Sequence, residues 1–248
     1  MITVKDLSFS YKTKQVLFNI NFKFEKGNIY CLVGENGAGK TTLLEIILKL
    51  KQIQKGQIIF DKTETLSNSI LEKTGVVFQE NTLRPRLKVK EEIDAYKDLY
   101  NVEKIWVDYI INTFKLDALL NKIGNSLSGG ERRRVLMALS FINKPEYIIL
   151  DEPFTGIDTK LRDELRIFLD DYVRDNNATI IFSEHNILEC QKYNYSFIFM
   201  YAGRFLLTGK RKDIKSTLLA IDYEYTDLQE LYLDIWERTE LVEKLIKK

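Results

Sequence analysis

The stretch GENGAGKTT, residues 34–42, constrains this chain more than any other. It follows NIYCLV, an uninterrupted apolar run that reads as a fully buried strand, and it leads into Leu43, Leu44, Ile47, Leu48 and Leu50 at helical spacing. A buried strand that turns through glycines into a helix calls for an α/β fold with a covered parallel sheet. The pattern is G-x-x-x-x-G-K-[ST], and its residue types explain its chemistry. Gly34, Gly37 and Gly39 let the backbone turn tightly, with Asn36 and Ala38 between them, so that several N–H groups converge on one anion. The helix starting near Lys40 adds the positive end of its dipole. Lys40 would neutralise the β- and γ-phosphates of a nucleotide, the Thr41 hydroxyl would ligate Mg²⁺, and Thr42 continues the same turn. The glycine order G-x-x-G-x-G, followed at once by lysine, argues against a dinucleotide site.

The remaining sequence is consistent with one such domain carrying an inserted lobe. At 248 residues the chain can bury a full core. Its 37 Lys and Arg nearly balance 36 Asp and Glu, so no global field favours nucleic acid or acidic substrates. Two cysteines, Cys31 and Cys190, suit a reducing compartment better than a disulfide scaffold, and Cys31 is expected to pack as a small hydrophobe. No stretch approaches a membrane span and the first residues turn acidic too early for a secretory signal, so a cytosolic chain is expected.

Residues 2–11 and 16–24 alternate as strands, and GQIIF returns to strand after the first helix. Beyond GVVFQ (75–79), helical periodicity covers roughly 91–115 and about 130–142, which marks a mostly helical insert. EYIILDEP and ATIIFSEH then restore buried strands on either side of a helical pattern near 160–174, the alternation of a βαβ unit.

YIILDEP places Asp151 and Glu152 where a buried strand meets its C-terminal loop, the edge at which open α/β sheets bind ligands. Adjacent carboxylates on a strand point to opposite faces, so separate tasks are expected. Asp151 would hold Mg²⁺ through its water shell, and Glu152 would polarise the attacking water. NSLSGGERRRV (125–135) makes a second helix N-terminus with free N–H groups, hence a second anion site. One nucleotide does not need two helix ends from one subunit.

At this point the sequence resembles the ATP-binding cassette (ABC) ATPases, whose signature is usually Leu-Ser-Gly-Gly-Gln. The resemblance covers about residues 1–210 and keeps the family's order of motifs. It implies a P-loop NTPase core, a mostly parallel sheet with an antiparallel β subdomain, plus an inserted helical signature subdomain and a C-terminal helix. The boundaries it implies are 1–85 and 147–210 for the catalytic core, 86–146 for the helical subdomain and 211–248 for the C-terminal extension. Two cassettes of this family dimerise head to tail, so that Ser128, Gly129, Gly130 and Glu131 of one close on the ATP held by the other. Tyr11 resembles the aromatic residue that stacks on adenine, and Gln79 the glutamine that reaches Mg²⁺ and the attacking water. Asp158 resembles the aspartate that communicates across the dimer, although a helix N-cap competes for it. His185, the only histidine, sits at the C-terminal end of what reads as the last sheet strand before the chain leaves the nucleotide edge, and resembles the residue that hydrogen-bonds the γ-phosphate.

Glu131 departs from the usual glutamine and is expected to aim away from the phosphates, at ribose hydroxyls or at Arg132 to Arg134. Those three arginines would spread over about 200° of helix and be solvated or paired on its face. The segment from Thr226 reads as one amphipathic helix of roughly 20 residues with Thr226 and Gln229 in capping-box spacing. The resemblance further implies ATP and Mg²⁺ as cofactors, a homodimer or paralogous cassette pair, and a separate transmembrane permease. Membrane contact would be indirect, on the cytoplasmic face, and nucleic acid is not expected. A weak likeness of LQELYLDIW to exporter cassettes favours export. A soluble assembly, translation or repair factor of the same superfamily is the alternative.

Overall fold

In the computed structural model, residues 1–61, 68–78 and 80–246 are described. The first half runs β1 (Ile2–Tyr11), β2 (Lys14–Phe24), β3 (Asn28–Val33), α1 (Lys40–Ile47), β4 (Lys55–Phe60), α2 (Asn68–Leu71), β5 (Thr74–Val77), α3 (Val89–Leu99) and α4 (Lys104–Thr113). The second half runs α5 (Gly129–Leu139), β6 (Tyr147–Leu150), α6 (Thr159–Asn176), β7 (Thr179–Glu184), α7 (Ile187–Cys190), β8 (Ser196–Tyr201), β9 (Arg204–Gly209), α8 (Arg211–Leu219), α9 (Leu228–Glu237) and α10 (Thr239–Ile246). Chain contacts divide it into two compact units, Met1–Leu66 with Ile181–Lys248, and Ser67–Ile180.

In the first unit, β1 and β2 alternate buried and open residues and pair as an antiparallel hairpin, with β4 added antiparallel on the far side of β1. β3 is buried along nearly its whole length because it lies inside a parallel layer: Cys31 pairs with Phe197 and Val33 with Phe199 of β8. β7 lies on the other side of β3, and β9 closes the edge antiparallel to β8. Two further strands of the layer, β8 and β9, follow β7 in the chain. β8, with FIFM fully buried, follows it and completes the layer around the glycine loop. Cys31 and Cys190 are both free and buried.

The second unit pairs β5 and β6 in parallel, with Val76 opposite Ile149. Its core is an aromatic cluster in which Phe168 of α6 meets Phe114, Phe141 and Tyr172 at centroid distances of 5.4, 5.0 and 5.8 Å. Burying each such ring contributes about 1.5–3 kcal/mol. The helical pattern over 91–115 resolves into two helices, because Asn101 adopts φ 50°, the left-handed conformation that ends a helix.

The tail also differs from expectation. It forms two helices, α9 and α10, broken at Arg238, which is extended at φ −112° and ψ 94°. The apolar stripe Leu228, Leu231, Ile235 has no apolar residue at 238 or 239 to continue it, and a second helix restarts the burial at Leu241, Val242 and Leu245. The cap is Asp227, whose carboxylate accepts the N–H groups of Gln229 and Glu230 at 2.8 and 3.0 Å, while Thr226 pairs with Glu230 rather than Gln229. α9 packs on its own chain, through Trp236 on Tyr201 at 4.7 Å and the Leu228 N–H on Gln191. Among the described residues no helix is long and apolar enough to cross a membrane.

Candidate nucleotide-binding and hydrolysis site

The glycine loop occupies the turn between β3 and α1, and the neighbouring backbone dictates its glycines. A Cβ on Gly34 would overlap the Met200 carbonyl oxygen of β8. Gly39, at φ 104°, caps α1 in the left-handed region and packs on Leu17 and Met200, and the Gly203 N–H donates to the Ala38 carbonyl at 3.0 Å. Gly37 has open space around it and needs its φ of 84° instead. Glu35, Asn36 and Gly37 form the exposed lip, and Lys40 is buried with its ammonium donating to the carbonyls of Gly34 and Glu35 at 2.6 and 3.1 Å. Thr41 is exposed at the first turn of α1 and Thr42 is buried behind it. Backbone N–H groups, a helix N-terminus, a lysine and an exposed hydroxyl form a donor set suited to polyphosphate with a hard cation.

Tyr11 closes β1 beside this loop. Its hydroxyl lies 3.4 Å from Thr42 Oγ1, Lys51 stands 5.1 Å over its ring, and the side chain is 43 % exposed. The Trp236 ring rests on Tyr201, the residue after the Met200 whose carbonyl shapes Gly34, and burial with the nearby Glu35 charge raises the pKa of the Tyr232 hydroxyl above its ordinary value. His185 follows β7, and its N–H and that of Asn186 both donate to the Glu184 carboxylate, at 2.9 and 3.2 Å. These bonds fix the backbone turn that carries the His185 side chain.

In the second unit, Asp151 is 1 % exposed and its N–H donates to Val77 at 2.7 Å, at the end of the parallel pair. The two carboxylates do not separate by strand alternation, because β6 stops at Leu150 and Glu152 takes φ 49° in the turn beyond it. Asp158 is the N-cap of α6, accepting the Leu161 N–H at 3.0 Å. Gln79 lies outside the described residues.

Ser128 caps α5, its Oγ accepting the Glu131 N–H at 3.2 Å. Glu131 answers by accepting the Ser128 N–H at 2.9 Å and the Lys122 ammonium at 2.8 Å, which hold its carboxyl down at about 2. Its partners are therefore Ser128 and Lys122 rather than the arginines, because N-cap and N3 are the positions a short carboxylate spans. Gly129 leaves open space where a Cβ would sit, whereas Gly130 packs directly on the Gly156 carbonyl.

Of the three arginines, Arg132 and Arg134 stay partly exposed and Arg133 alone turns inward. Arg133 is buried and donates to the carbonyls of Phe78, Asp151 and Glu152. Burial lowers its basicity while the charges of Asp151 and Glu152 oppose that shift. Its spacing from Met137, four residues on, places it on a face that α5 buries and is the sequence signal that could have found it.

Fold and loop together define an α/β protein built to hold a nucleotide by its phosphates. Residues 17–155 match the family described as ABC transporter. The ergothioneine transport ATP-binding protein of Helicobacter pylori is 34 % identical over 200 residues, covering 77 % of this chain and 93 % of that protein. The aliphatic sulfonates import ATP-binding protein of Bacillus cereus is 36 % identical over 203 residues, 80 % of this chain and 78 % of its own. The cassette MJ0796, solved as a dimer with ADP and phosphate, superposes with a TM-score of 0.73 at 25 % identity, covering 85 % of this chain and 98 % of its own. The chain belongs to the ABC transporter ATP-binding family and is an ATPase of that family. The expectation of export finds no support among these relatives, since the one whose name states a direction is named for import.

Proposed function

We propose that the chain is the ATP-hydrolysing subunit of a two-component transporter, acting as a head-to-tail pair of cassettes that binds two Mg-ATP and drives a separate permease from the cytoplasmic face of the membrane. The observation that carries this reading is the pair Gly129 and Gly130. Gly130 is required by its own chain, but among the described residues nothing comes within 4 Å of where a Gly129 side chain would start, and that open space suits close approach by another subunit's nucleotide. Within each cassette, the loop N–H groups and Lys40 hold the phosphates, with Tyr11 against the base. Mg²⁺ supplies charge neutralisation at the phosphates, and Thr41, Gln79 and Asp151 carry the oxygen donors it prefers. Glu152 orients the attacking water, and His185 senses the γ-phosphate through a bond to a charged acceptor worth roughly 1.5–3 kcal/mol net. Asp158 relays across the pair from the start of α6.

The test is Glu152→Gln. ATP binding persists, turnover stops, and ATP traps a dimer visible by size-exclusion chromatography. Normal hydrolysis by this variant overturns the assignment. Purification with ribosomes, in place of a membrane protein, overturns the transporter reading.

A further inference from the structure

Arg133 lies on the second turn of the helix that begins at the signature serine, and its side chain joins two other segments of the same unit. Nη1 donates to the Phe78 carbonyl at 2.8 Å, at the last described residue before Gln79. Nε and Nη2 donate to the Glu152 carbonyl at 3.2 and 2.8 Å, and Nη2 also donates to that of Asp151. Three carbonyls turned toward one point need a planar group with several N–H donors. A guanidinium supplies five in a fixed fork, whereas an ammonium offers three from a single atom. The turn held in this way is the one in which Glu152 sits at φ 49°, outside the ordinary range for a residue with a side chain. A second tie lies one turn earlier, where Gly130 abuts the Gly156 carbonyl with no room for a Cβ. The N-terminal turns of α5 are thus fastened at two points to the segment running from Asp151 to Asp158.

We propose that Arg133 is a positioning residue for hydrolysis: it makes the signature helix and the Asp151–Glu152 turn one rigid piece, so that displacement of the helix N-terminus moves the Glu152 carboxylate. This rests on the reading of Glu152 as the group that orients water. It ties engagement of the signature to alignment of the reacting water within one chain, through backbone carbonyls rather than through side chains.

The test compares Arg133→Lys and Arg133→Gln with the unaltered full-length chain in steady-state ATP hydrolysis. A misplacement of about 1 Å at a reacting group costs up to about 100-fold. The expected result is a kcat at least about tenfold lower with KM for ATP and nucleotide affinity within about twofold. Equal kcat in both variants overturns the proposal, as does a loss of rate that tracks the unfolded fraction seen by thermal melting. If Arg133→Lys accumulates poorly, Arg133→Gln, with two N–H donors in a plane, carries the comparison. Glu152→Gln is run beside them. A dead Glu152→Gln with a normal Arg133→Lys removes only the coupling, whereas a normal Glu152→Gln removes the underlying role.

Discussion

Glu131, the acidic residue in the signature, is predicted to brace its helix and leave catalysis alone. Glu131→Ala frees the Ser128 N–H, now held at 2.9 Å, and the Lys122 ammonium, now at 2.8 Å. Ser128 still caps the helix, but loss of the carboxylate's bond to the Ser128 N–H costs about 1 kcal/mol and loss of an exposed ion pair up to about 1 kcal/mol, so the expected total is about 1–2 kcal/mol. For a chain of this size that lowers Tm by about 3–6 °C. Glu131→Gln keeps an acceptor for Ser128 and loses only the charge, for about half that effect. The displacement of the carboxyl from 4.5 to about 2 would correspond to about 3 kcal/mol without solvent screening. With the side chain 24 % exposed and its lysine partner 44 % exposed, a surface value near 1 kcal/mol is the appropriate magnitude. The folded value is the lower one, so this stability is complete above pH 4.5 and is lost as the pH falls toward 2. Thermal melts of the two variants from pH 7 down to pH 3 test this, and the gap to the unaltered chain should narrow below pH 4.5. ATP hydrolysis at pH 7 should stay within about fivefold for Glu131→Gln, since a surface charge of this kind is worth under about 1 kcal/mol. Equal melting temperatures, a gap that persists unchanged at pH 3, or lost turnover in Glu131→Gln would refute the reasoning.

The loop glycines should respond differently to alanine. Gly34→Ala pushes a Cβ into the Met200 carbonyl, and an overpacking cost of about 1–3 kcal/mol should weaken binding of a fluorescent ATP analogue about tenfold or more. Gly37→Ala meets open space and bears only the left-handed backbone cost of about 1–2 kcal/mol, so it should bind more tightly than Gly34→Ala. The reverse order would show that φ, rather than packing, governs the loop. At the base side, Tyr11→Phe removes only the 3.4 Å contact with Thr42 and should change nucleotide affinity by no more than about threefold. Tyr11→Ala should weaken it by about 1–3 kcal/mol if the ring stacks on the base. Unchanged affinity in equilibrium titration would place the ring elsewhere.

Elements set by contiguous residues were legible in the sequence. The nine residues of the glycine loop carry their own geometry, and the buried strands β3, β6 and β7 and the helices α1, α5 and α6 follow from local periodicity, which needs no partner to be read. At the start of α9 the capping signal of the sequence lies one residue away from the cap itself, since Asp227 rather than Thr226 accepts the first helical N–H groups. Break points such as Arg238 and Asn101 were harder, because one residue leaving helical conformation outweighs a good periodic pattern on either side.

Partners distant in sequence were decided only by the tertiary structure. Periodicity placed Arg133 on a helix but could not show that carbonyls 55, 18 and 19 residues away would converge on it. Glycine spacing pointed to a phosphate loop, but the reason Gly34 tolerates no side chain is a carbonyl in β8, and the reason for Gly130 is the backbone at Gly156. The tail announced an apolar face, and folding chose Tyr201 as the ring beneath Trp236. Local spacing states which side of an element is buried. Which group it meets depends on how the intervening chain closes, and that geometry is set by the packing of all the elements together.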